Sequence, residues 1–315
     1  MRTPLRPSFL RGLLYAAIVL VPVGRVRAQT SVTPTIPTTS SAAVQAVRVT
    51  GGIDVDGRLD EATWAAAPAI EGFRQNRPSE GAPASQRTVV RVLYDDNAIY
   101  VGARMYDTAP DSIISRLGRR DDNNLNSDDF VVFLDPYHDK RSGFYFAVNV
   151  AGTLYDGTMF NDSNMDDSWD GVWLGKTARD AEGWTAEFRI PYSQLRFAKA
   201  EVQTWGVNFQ RNLARRNEES RLRYVPSSEN GFVSHFADLT GIERIRPPRG
   251  FEAVPYVTSR AAFTDGGAGN PFNDGSRYKV DAGADVKLGL SSNLTLSATV
   301  NPDFGQVEVD PAVVN

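Results

Sequence analysis

Short β-branched and aromatic segments, each closed by turn residues, recur between Thr88 and Val225 and restrict this chain to a strand-built fold. Thr88–Tyr94 reads Thr-Val-Val-Arg-Val-Leu-Tyr, runs into Asp95-Asp96-Asn97 and resumes over Ala98–Tyr106, the pattern of a hairpin. The same texture predicts strands over 129–134, 144–150, 153–160, 172–178, 184–190, 205–212 and 220–225. Strands this short and this regularly spaced predict an all-β chain folded as an antiparallel sandwich. One short helix is predicted over 60–67 with Asp60 as its N-cap, and 191–195 reads as a helical turn after a strand. The chain has no cysteine, so disulfides, thiolate catalysis and Cys-ligated zinc are excluded and stability must come from a packed core. Its 41% hydrophobic content in 315 residues is enough to build one.

The flanks differ from this middle. Arg2, Arg6 and Arg11 precede the apolar run from Gly12 to Val23, and Val26-Arg27-Ala28 supplies small residues at the −3 and −1 positions of a cleavage site. That run is shorter than the roughly 20 residues a spanning helix needs, so 1–28 reads as a secretory signal peptide. The segment carries five arginines and no acid; without it the formal charge of −4 becomes −9. So acidic a chain is not expected to bind nucleic acid, which requires clustered Lys and Arg. Residues 29–46, rich in Thr, Ser, Pro and Ala, read as a disordered leader.

A boundary is expected near 244–250, where Pro247-Pro248-Arg249-Gly250 breaks any regular element. Beyond it, Val280, Ala282, Ala284, Val286, Leu288 and Leu290 alternate with polar residues and glycine. A turn at Ser291-Ser292-Asn293 follows, and then Leu294, Leu296, Ala298 and Val300 alternate with Thr and Ser. This suits either a soluble hairpin with one buried face or the first hairpin of an outer-membrane β-barrel. Two strands do not close a barrel, so the barrel reading expects further strands after Asn315.

Three phrases together resemble the carbohydrate-binding module family 9-like domain over about 47–245. They are Asp-Gly-Arg-Leu-Asp-Glu-Ala-Thr-Trp at 56–64, Ser-Asp-Asp-Phe-Val-Val-Phe-Leu-Asp at 127–135, and Gly-Trp-Thr-Ala-Glu-Phe-Arg-Ile-Pro-Tyr-Ser-Gln-Leu at 183–195 followed by Trp-Gly-Val-Asn-Phe at 205–209. The tail Asn-Pro-Asp-Phe-Gly-Gln-Val-Glu-Val-Asp at 301–310 resembles the opening of an outer-membrane barrel domain that follows such modules in Gram-negative bacteria. The resemblance implies a jelly-roll-like sandwich over 47–245 and the first barrel strands over 246–315. It also implies binding of an oligosaccharide or polysaccharide, a link to polysaccharide catabolism, and structural calcium.

Sugar binding calls for an aromatic platform beside hydrogen-bonding groups. Trp169 and Trp173, in the polar stretch 161–173, are the candidate rings; Trp64, Trp184 and Trp205 lie in apolar contexts and read as core. Arg119 and Asp121 are candidates for bidentate contacts to sugar hydroxyls, against the alternative of a solvated polar connection. Asp162, Asn164 and Asp166 offer oxygens at alternate positions, as calcium requires. The sixth position is Asp167 and the twelfth Trp173, so this is not an EF-hand. His138 and His235 are the only histidines and sit in no catalytic motif, leaving a hydrolase or its accessory, and a non-binding structural sandwich, as alternatives.

Overall fold

The fold follows from two-residue alternation. In Asp129–Asp135, Phe130, Val132 and Leu134 point one way and Val131 and Phe133 the other, and both sets are buried. Each side of this sheet must therefore be covered by something else. The computed structural model describes residues 43–49, 51–246, 251–263, 275–291 and 294–301. The signal peptide, most of the leader, the Pro247–Gly250 break, the turn at 292–293 and the tail after Asn301 lie outside the described residues.

In chain order the elements begin with β1 (Val44–Arg48), α1 (Ala62–Ala66), β2 (Arg74–Arg77), β3 (Thr88–Tyr94), β4 (Ala98–Tyr106), β5 (Asp129–Asp135) and β6 (Gly143–Asn149). Next come β7 (Leu154–Phe160), β8 (Asn164–Asp166), β9 (Leu174–Asp180), β10 (Gly183–Pro191), β11 (Val202–Leu213), β12 (Glu218–Arg221) and β13 (Ala237–Glu243). The larger layer runs β8-β7-β6-β5-β11-β13-β1, with β12 and β2 added beside β11; the second runs β1-β3-β4-β10-β9. The core lies between the layers, where Phe130 meets Phe188 and Trp184, Trp205 and Phe209 are fully enclosed. Burial of side chains this large contributes about 1.5–3 kcal/mol each. Trp64, Trp184 and Trp205 are core residues, as expected.

Three expectations need correction. The sandwich is not wholly antiparallel: β1 pairs in parallel with both β13 and β3 and so joins the two layers. That strand begins at Val44, inside the stretch whose composition reads as leader; Val44 and Ala46 are buried there. The helix is shorter than 60–67, and its N-cap is Glu61, not Asp60. The Glu61 side chain makes no cap bond; its carboxylate instead accepts from the Trp64 indole at 3.1 Å.

The Asp56-Gly57 turn has a structural task. Gly57 has φ +93°, and a Cβ there would lie 2.7 Å from the backbone of Thr177. The Gly57 and Asp56 amides donate to one oxygen of buried Glu187 at 3.0 and 3.1 Å, and the Thr185 hydroxyl donates to the Gly57 carbonyl at 2.6 Å. This fastens the loop before α1 to the outside of β10, where Trp64 packs with Leu93 and Tyr100.

A separate three-stranded antiparallel sheet follows: β14 (Phe251–Phe263), β15 (Ser276–Ser291) and β16 (Leu294–Val300). Its register places Val257, Phe263, Tyr278, Val280, Leu288, Leu296 and Val300 on one face, and all of these are exposed. Arg260, Lys279, Asp281 and Asp285 occupy the other. Among the described residues no helix is long and apolar enough to cross a membrane.

Candidate functional site

The sequence candidates gather only in part. Trp169 lies in the loop between β8 and β9, half-buried, its ring 5.2 Å from Phe144 and 5.9 Å from Phe146. With Arg120, Ser168 and Asp170 it lines an open cavity, so it keeps some accessible surface. Trp173 is a core residue, not a platform: it is 4% exposed and stacks parallel on Phe188 at 5.6 Å. Its indole donates at 2.7 Å to Asp156, which is 1% exposed. Asp156 also accepts from the Gly171 amide at 2.8 Å and from the Arg120 guanidinium.

Arg120, one residue from the candidate Arg119, is therefore the cation of this cluster, while Arg119 is exposed. Asp121 does belong to it: the carboxylates of Asp121, Asp156 and Asp170 lie within 4.8 Å of one another. Burial, with the charges of Asp170 and Asp156, pushes the Asp121 carboxyl up to about 6 against the pull of Arg120.

At Asp162, Asn164 and Asp166, the expected calcium ligands, both carboxylates are already engaged by protein donors. Asp162 is occupied by the Phe232 amide at 3.0 Å and by the Ser234 amide and hydroxyl at 2.8 and 2.9 Å. Asp166 accepts from the amide and hydroxyl of Ser168, and Asn164 pairs with Phe160 at the start of β8. Asp162 thus fastens the segment at Phe232–Ser234, and Asp166 the turn at Ser168. Asp121, Asp156 and Asp170 have the oxygens for a hard cation, but the Arg120 guanidinium stands among them and a metal would have to displace it.

A larger constellation covers the outer face of the larger layer. Asp129 of β5 sits opposite Asn212 of β11, and Asn212 opposite Glu219 of β12. The Asn212 amide donates to Asp129 at 2.7 Å, and the Tyr155 hydroxyl bonds the same carboxylate. The Gln210 amide donates to Asn212 at 3.3 Å, and Arg221 donates to Gln210 at 2.8 Å. Glu219 holds Arg221 at 2.7 Å, Asn76 at 3.0 Å and Arg77 at 3.2 Å. The polar groups thus form one unbroken run across β7, β5, β11, β12 and β2.

Alongside the run stand aromatic rings: Phe133 meets Phe232 edge-on at 4.9 Å, and the Arg221 guanidinium lies 4.6 Å over Phe232. Burial raises the Asp129 carboxyl to about 7, opposed by its bonds to Asn212 and Tyr155. Burial and the neighbouring carboxylate push the Tyr155 hydroxyl well above its ordinary range. Carboxylate, amides and guanidinium beside rings are the groups that engage a hydroxyl-rich molecule.

Sequence reasoning passed over Tyr155, Gln210, Asn212, Glu219 and Arg221. A signal was present in β11, where Trp205, Val207 and Phe209 alternate with Asn208, Gln210 and Asn212.

A family model described as carbohydrate family 9 binding domain-like matches residues 55–234, and one described as a domain of unknown function (DUF5916) matches 247–315. A search among curated proteins gives no match. Among solved structures, a carbohydrate-binding module family 9 from Caldicellulosiruptor kristjanssonii in complex with cellotriose is 19% identical. The match covers 64% of this chain and 100% of that one, with a TM-score of 0.46. A protein from Bacteroides uniformis described as carbohydrate-binding is 12% identical, covering 62% and 97% with a TM-score of 0.51, a likeness of fold alone.

Proposed function

Because the chain belongs to the carbohydrate family 9 binding domain-like family, we propose that its sandwich binds a neutral oligosaccharide on the outer face of the larger layer. The observation that carries this reading is the continuous run Tyr155–Asp129–Asn212–Gln210–Arg221–Glu219 beside Phe232. Sugar hydroxyls would replace solvent on Tyr155, Asp129, Asn212 and Arg221, which are half-buried, while buried Gln210, Glu219 and Phe232 hold these groups in place from behind. Isothermal titration with cello- and xylo-oligosaccharides tests it. Binding that weakens about tenfold or more in Asn212→Ala is expected. Silence across a broad neutral-glycan panel would leave a non-binding, structural sandwich.

The same reading makes the protein an exported one whose C-terminal strands enter an outer membrane. Two observations favour this: the signal-like residues 1–28, and the exposed apolar face that runs across β14, β15 and β16 with a polar face behind it. Membrane fractionation of the full-length protein, with and without residues 1–28, checks it. A role in polysaccharide catabolism belongs to this reading as delivery or retention of glycan. Release of reducing ends from polysaccharide would instead make the chain a hydrolase.

A further inference from the structure

The outer face of the second layer carries a groove of about 640 Å³ beside α1, apart from the proposed sugar site. Five arginines line it: Arg58 in the loop before α1, Arg87 and Arg91 at β3, Arg104 on β4 and Arg179 on β9. Three carboxylates share the lining, those of Asp60, Glu71 and Asp180, and no lysine does.

The arginines divide into two sets. Arg87 pairs with Glu71 at 2.7 Å, and Arg104 forks onto Asp180 at 2.6 and 2.7 Å with Glu182 at 3.4 Å. Both guanidinium groups also sit over the Tyr106 ring, at 4.9 and 5.1 Å, which holds them as the walls of the groove. Arg91 gives one N–H to the Ala67 carbonyl at 3.2 Å, and Arg179 gives one to the Pro110 carbonyl at 3.0 Å. Among the described residues, Arg58, Arg91 and Arg179 have no carboxylate within ion-pair distance. A concave surface of net positive charge thus exists on a chain whose formal net charge is −4. The five guanidinium groups outnumber the three carboxylates of the lining, and an anion in the groove would offset the excess positive charge. The planar guanidinium fork matches a carboxylate bidentately, and Leu59, Ala69, Val89 and Ala178 give the groove apolar surface between the charges.

We propose that this groove binds the carboxylate groups of an acidic oligosaccharide, a uronic-acid-bearing chain, as a second site on the sandwich. The saccharide nature of the ligand rests on the reading of the protein as glycan-binding; the anionic character rests on the groove alone.

Calorimetric titration of the full chain with trigalacturonate, with cellotriose and with phosphatidylglycerol vesicles in separate arms tests the proposal. Trigalacturonate is expected to bind and to weaken as salt is raised. The double substitution Arg58→Gln and Arg179→Gln, at two exposed positions, is expected to weaken it about tenfold or more without moving Tm. Asn212→Ala is expected to leave trigalacturonate binding unchanged. Absence of trigalacturonate binding at low salt overturns the proposal, as does binding indifferent to the double substitution or vesicle binding in its place. Cellotriose silence with trigalacturonate binding intact would count against the neutral-sugar site alone, and the reverse result against the groove alone.

Discussion

Asn212 donates its side-chain amide to Asp129 at 2.7 Å, joining residues 83 positions apart on neighbouring strands. It orients a half-buried carboxylate and makes it part of a surface instead of an isolated charge. Asn212→Ala removes the donor and leaves an acid without its amide. A stability loss of about 1–3 kcal/mol is expected by denaturant titration, alongside the weakened glycan binding. Unchanged binding with reduced stability would assign Asn212 a purely structural task.

The raised carboxyls of Asp129 and Glu187, each at about 7, make stability pH-dependent in a defined direction. Both acids titrate higher in the folded chain than in the unfolded one, so the folded state holds more protons between about pH 4 and 7. Stability from these groups is full below that window and is lost as pH rises through it. The free energy of unfolding is expected to fall from pH 5 to pH 8, by an amount on the order of 1–3 kcal/mol. Asp129→Asn and Glu187→Gln should each flatten the slope. A slope of the opposite sign would refute the assignment.

Trp173 and Trp169 should separate cleanly. Trp173→Ala removes a ring stacked on Phe188 and an indole bonded to buried Asp156, and is expected to cost about 3–5 kcal/mol. Trp169→Ala, at a half-buried ring on the sandwich edge, should cost less, roughly 1–2 kcal/mol. Chemical denaturation of the two variants side by side measures the difference.

Gly57→Ala introduces a Cβ at 2.7 Å from the Thr177 backbone at a φ of +93°. Neither strain can be relieved by turning a side chain. A loss of about 2 kcal/mol or more is expected, with faster hydrogen exchange at the Asp56 and Gly57 amides.

Arg120 stands where a metal would stand. Arg120→Ala leaves Asp121, Asp156 and Asp170 without their cation, and a Tm below that of the parent is expected in the absence of metal. Calcium should raise the Tm of this variant more than that of the parent, because only the variant lacks the guanidinium that the three carboxylates share. Equal response to calcium in both proteins would show that Arg120 does not compete with a cation.

The strand-built sandwich was legible in the residues because its signals are local: β-branched and aromatic runs closed by a turn over 88–106, and alternation over 205–212, need no reference to the rest of the chain. Local reading lost its grip where a partner elsewhere decides the outcome. Val44–Arg48 forms a strand because β13 and β3 leave a slot between them, and composition alone marked its first three residues as leader. Trp173 stood among polar residues and is buried, since Asp156 receives its indole inside the sandwich.

The sequence by itself determined the fold class and three of the core tryptophans, Trp64, Trp184 and Trp205. Only the tertiary structure decided that Asp129, Asn212, Gln210, Glu219 and Arg221 share one face, and that five arginines share another. The reason is physical: strand register brings together residues far apart in sequence, and register is set by the summed packing of both layers.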